Sequence, residues 1–108
     1  MGRNKIVNID KDELEKGKAE LYSIILSISS PEELDSFFDD MLTNNEIQDL
    51  VQRFLLMDDL MQGKSQRDIA SQRSMSLCRI TRGSRMLKKK NGFMSKWFSH
   101  KYDDYSHI

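Results

Sequence analysis

The sequence predicts an all-α protein of six helices, on three observations. Apolar residues recur at the 3.6-residue helical period, with almost none of the alternation a half-buried strand needs. Helix-starting signals recur along the chain, at Ser30, Thr43, Ser65 and Ser76. The segment Gln66 to Ser84, QRDIASQRSMSLCRITRGS, has the spacing of two short helices around a tight turn, the helix-turn-helix pattern. At 108 residues the chain reads as a single domain, 1–108.

The first helix is expected from about Lys11 to Ser29. It puts Leu14, Leu21, Tyr22, Ile25 and Ile28 on one face, widened by Ile24 and Leu26. So wide an apolar face calls for more cover than a small intramolecular core supplies. Ser30 caps the second helix in an S-P-E-E box, with Pro31 at the first helical position and Glu33 three residues after the cap. This helix carries Leu34, Phe37, Phe38, Met41 and Leu42. Thr43 and Glu46 repeat the device as T-N-N-E. The third helix then runs to about Gln62 with Ile47, Leu50, Val51, Phe54, Leu55, Met57, Leu60 and Met61 in phase. Gly63 is a C-terminal stop. Ser65 with Asp68 starts the fourth helix, with Ile69 and Ala70 on its buried side. Ser74, Met75 and Ser76 make the turn. Ser76 caps the fifth helix, which ends near Lys90 and is broken by Asn91-Gly92. A last short helix holds Phe93, Met94, Trp97 and Phe98, and the polar tail 100–108 is expected to fray.

Formal net charge is zero, but the charges are segregated. Residues 1–62 hold 14 acids and 6 bases, whereas residues 63–101 hold 11 bases and the single acid Asp68. A basic half that contains a helix-turn-helix pattern points to nucleic acid. In that motif the second helix enters the major groove. Candidate DNA contacts are therefore Gln66 and Arg67 at the start of the first helix of the pair, and Ser76, Leu77, Cys78, Arg79 and Thr81 at the start of the second. Arg79 has the chemistry to take guanine O6 and N7 together. Lys88, Lys89 and Lys90 would meet phosphates, adding affinity without sequence information.

Other classes lack their residues. No long apolar run exists: the densest piece, Tyr22 to Leu26, is far too short to span a bilayer, and the charged N-terminus has neither an apolar signal centre nor, with Ile6, a myristoylation motif. The lone Cys78 fits a reducing cytoplasm; in the first turn of the groove helix it also has a position that favours oxidation. His100 and His107 have no ligand-spaced partners, so no metal site is expected. The paired acids Glu32-Glu33, Asp39-Asp40 and Asp58-Asp59 read as first-turn charges or solvated faces. There is no phosphate loop and no nucleophile–base pair, hence no catalytic residue, no catalytic cofactor and no expected enzyme activity.

From Leu42 to Trp97 the chain resembles the tryptophan repressor family. The resemblance rests on Leu42-Thr43, Arg53, SQRD at Ser65 to Asp68, ITRGS at Ile80 to Ser84 followed by Leu87-Lys88, and Trp97 in the last helix. It implies a six-helix intertwined homodimer, with 11–62 and 92–99 as dimerisation core and 65–90 as the DNA-reading head. It also implies L-tryptophan as corepressor, its indole between Arg53 and Arg82, and its carboxylate on Arg82. Gly83 would allow close approach, and main-chain carbonyls near Asp40 and Leu42, beside Thr43, would come from the partner subunit. A two-fold dimer implies a pseudo-palindromic double-stranded operator, with tryptophan biosynthesis or uptake genes as targets.

This chain departs from the family pattern in the short Gly63-Lys64-Ser65 connection, in Met86 and Arg85, and in Leu77-Cys78-Arg79 at the groove. Ser74 stands where glycine is usual, so a left-handed serine is expected in the turn. Two alternatives stay open: a DNA-binding regulator of the same fold that is constitutive, redox-controlled or tuned to another ligand, and a protein-interaction module with a basic docking face.

Overall fold

The computed structural model describes residues 8–106. The expectations for the extreme N-terminus and for His107 fall outside these residues. The described residues form six helices and no strand. They are α1 (Lys11–Ser27), α2 (Pro31–Met41), α3 (Asn44–Met61), α4 (Gln66–Arg73), α5 (Leu77–Lys88) and α6 (Phe93–Ser106). They group into two compact units divided after Thr43. The division groups α3 with α4–α6 rather than with α1 and α2.

In the first unit the caps set the helix ends. Asp10 accepts from the Glu13 amide and starts α1; Ser30 accepts from the Glu33 amide at 3.1 Å and starts α2. The returning arm of the α2 box lands one residue earlier than the simple pattern. The Glu33 carboxylate takes both the amide (3.0 Å) and the hydroxyl (3.1 Å) of Ser29. These bonds hold the Glu33 carboxyl below the usual range, the Ser29 amide contributing most. Neither α1 nor α2 contains a buried residue. Leu26 is 85% exposed, and Tyr22, Ile24 and Ile25 are exposed with it, so the broad apolar face of α1 lies open in a single chain.

The second unit holds the core. Leu56 and Met57 of α3, Ile69 of α4, Met75 of the turn, Ile80 of α5 and Phe98 of α6 are buried. Ser65 and Ser76 cap α4 and α5 by accepting from the amides three residues on, at 3.1 and 3.2 Å. Such a cap contributes about 1 kcal/mol. The turn Ser74–Ser76 begins with Ser74 at φ 51°, ψ 48°, the left-handed conformation expected there. This geometry brings the Met75 amide back to the Ala70 carbonyl at 3.0 Å and drops the Met75 side chain into the core. Asn91 (φ 61°), in the α5–α6 link, is a second non-glycine residue with positive φ.

Two expectations need correction. The last helix is not short: α6 runs on through His100 to Ser106 instead of fraying. The reason lies in α3. Asp58 accepts from Lys101 Nζ (2.9 Å), Tyr102 Oη (2.6 Å) and Gln62 Nε2 (3.0 Å), which pins the second half of α6. The Asp58-Asp59 pair is accordingly not a solvated face. Asp59 is 4% exposed and takes Arg73 Nε at 2.6 Å and Lys64 Nζ at 3.1 Å. Adjacent carboxylates thus brace α6 on one side and α4 on the other. The Arg73 bond holds the Asp59 carboxyl low against the opposing effect of burial. Burial pushes Asp58 up, but the bonds from Tyr102 and Lys101 outweigh it and leave the carboxyl low. Around Phe98 an aromatic cluster forms, with ring centroids 5.5 Å to Phe54, 4.9 Å to Trp97 and 6.4 Å to Tyr102.

Candidate functional site

α5 packs on α3 through Gly83. A Cβ built there would strike Leu56 Cδ1 well inside van der Waals distance, and Leu56 is fully buried. Gly83 therefore serves helix–helix approach, a role the ligand-centred expectation did not include. Just beside this close contact the two helices part enough to leave a cavity of about 330 Å³. That is within the size range of small-molecule sites.

α3 contributes Arg53 and Met57 to the cavity, one turn apart; α5 contributes Cys78, Arg79, Arg82, Gly83 and Met86 over its first three turns. The structure thus brings together Arg53, Arg82 and Gly83, three of the six positions expected around a ligand. The remaining three, Asp40, Leu42 and Thr43, close the first unit at the end of α2. Arg53 and Arg82 are exposed and have no acidic partner among the described residues. Met57 and Arg79 were not foreseen as lining. Met57 was legible as the residue four after Arg53 on one helix face, and Arg79 as the residue three before Arg82.

The expected DNA-contact residues divide. Gln66, Arg67, Ser76, Leu77, Cys78, Thr81, Lys88, Lys89 and Lys90 are all exposed, on α4, on α5 and just beyond its end. Arg79 stands apart from them. It is half-buried and its Nη1 lies 3.6 Å from Asp49 Oδ1 on α3, whereas Cys78 lines the cavity with it but stays exposed. The first turn of α5 therefore shows Leu77 and Cys78 to solvent while Arg79 leans on α3. Among the described residues no group of three or more His, Cys, Asp or Glu side chains could hold a metal ion. No helix there is long and apolar enough to cross a membrane.

A helix pair joined by a tight turn, whose second helix also walls a cavity lined by three arginines, defines a small all-helical protein. Residues 16–102 match the family described as Trp repressor protein, and the chain belongs to that family. It is 30% identical over 83 residues to a Trp operon repressor homolog of Xylella fastidiosa, covering 74% of this chain and 90% of the relative. A Trp operon repressor homolog of Chlamydia caviae is 35% identical over 75 residues, 68% of this chain and 74% of the relative. The uncharacterized protein YerC of Bacillus subtilis is 38% identical over 72 residues, 67% and 69% of the two chains. No solved structure matches significantly.

Proposed function

We infer that this protein is a dimeric, sequence-specific DNA-binding transcriptional repressor of the cytoplasm with L-tryptophan as corepressor. One observation carries the reading: α5 faces two ways. Its inner side, with Arg53 of α3, walls a cavity that contains Arg82. Its exposed N-terminal residues belong to a strongly basic segment. Two guanidinium planes against an indole contribute on the order of 1–2 kcal/mol when water is excluded, and Arg82 supplies the charge for the carboxylate. The exposed α4–α5 residues act as the reading surface, α5 lies in the major groove, and Lys88–Lys90 meet phosphates. Homodimerisation is supported by the open apolar face of α1 and, within the second unit, by the exposed Val51, Phe93 and Trp97. A two-fold dimer reads a pseudo-palindrome with half-sites about one helical turn apart.

Calorimetric titration of L-tryptophan tests the corepressor role, with R53A and R82A as controls. One tryptophan bound per chain, lost in both variants, supports it. No heat at millimolar ligand removes it. A second reading, a regulator of the same fold tuned to another ligand, is favoured by the third guanidinium in the cavity, Arg79. Retention of a pseudo-palindromic duplex with no response to tryptophan would select this second reading.

A further inference from the structure

We propose that Arg79 is a third ligand-binding guanidinium and that Asp49 is its competitor. The inference rests on the reading that the α3–α5 cavity is the ligand site. It adds a specificity residue to that site.

Three facts carry it. First, Arg53, Arg79 and Arg82 line one cavity of about 330 Å³, and none of its lining residues is acidic. The other walls, such as Met57 and Met86, are apolar and polarisable, suited to a ring face. Second, the positive charge is poorly neutralised. Arg53 and Arg82 have no acidic partner among the described residues, and Arg79 has Asp49 alone. Third, that pair is loose. At 3.6 Å it is longer than a hydrogen bond, and the two side chains are 39% and 55% exposed. The Arg73–Asp59 pair of the same unit, at 2.6 Å with Asp59 buried, shows what a committed ion pair looks like here.

A ligand carboxylate entering the cavity can approach Arg79 to hydrogen-bonding distance, where a charge-assisted bond is stronger than the 3.6 Å pair it replaces. Arg79 then exchanges Asp49 for the ligand. An ammonium group meets no acidic side chain among these lining residues. Ligand affinity therefore depends on the acid and is held back by Asp49.

The test is calorimetry with three probes that share the indole ring: L-tryptophan, indole-3-propionate (acid without ammonium) and tryptamine (ammonium without acid). The proteins are the wild type, D49N, R79Q, the D49N/R79Q double variant and R53A, each checked by thermal melting. R79Q should weaken indole-3-propionate about tenfold, and D49N should tighten it about threefold. The D49N gain should vanish in the R79Q background, and neither variant should improve tryptamine. R79K, which keeps the charge, should recover part of the loss and stands in for R79Q if that variant does not fold.

If R79Q binds both acids as the wild type does while R53A binds neither, Arg79 has no ligand role and the cavity reading survives. If D49N tightens binding equally with and without Arg79, the competition is refuted. If the wild type takes up none of the probes, the cavity reading falls, and this proposal with it.

Discussion

Gly83 and Ser74 show how single backbone positions set the geometry of the second unit. Gly83 lets α5 settle on Leu56, and the cavity opens beside that contact. G83A should lower stability by about 1–3 kcal/mol, read in a denaturant melt, because the buried Leu56 must repack to admit one methyl. It should also weaken ligand uptake by spreading α3 from α5. Ser74 presents the opposite case. A non-glycine residue at φ 51° carries a conformational cost, so S74G should raise stability by up to about 1 kcal/mol. The left-handed serine was legible from its place in the turn. The packing role of Gly83 was not, because the residue it touches lies far away in sequence.

The braces between helices belong to Asp58 and Asp59. Both carboxyls are held below their ordinary value of about 3.9, so their contribution is fully present above that pH. It is lost as pH falls through the lower folded values. Acid melts monitored by circular dichroism should therefore show stability falling below about pH 4, and D59N should flatten that loss while costing about 2–3 kcal/mol at neutral pH. D58N should loosen the second half of α6, visible as faster amide exchange around Lys101 and Tyr102. Helix starts were readable because a cap is a local signal: Ser30, Ser65 and Ser76 each bond the amide three residues on. The end of α6 was not, because its anchor is 43 residues away on α3 and a run such as SHKYDD looks like a polar tail. The same blindness made Asp58 and Asp59 resemble surface acids. The contact between Arg79 and Asp49 was equally illegible, since the two belong to different helices.

For the whole chain, charge and apolar exposure are the properties that matter. The basic residues after Gly63 are exposed at Lys88–Lys90, so K89A should weaken specific and random duplexes alike and lower the salt dependence of binding by about one unit. A shift assay across a salt series reads both. The open face of α1 makes a prediction of its own: L26E, at a site 85% exposed in one chain, should convert a dimer to monomers in sedimentation while leaving helix content nearly unchanged. Six helices and the cationic segment could be read from periodicity and composition. The cavity could not, because it exists only where two helices separated in sequence diverge beside a glycine. On the proposed function, α5 is wall to one partner and reading surface to the other, and the two binding events are then thermodynamically linked. Whatever factor the small molecule adds to duplex affinity, duplex must add to affinity for the small molecule. Each operator sequence would then set its own threshold concentration of effector, so a set of promoters could respond in graded order to one rising metabolite through a single protein.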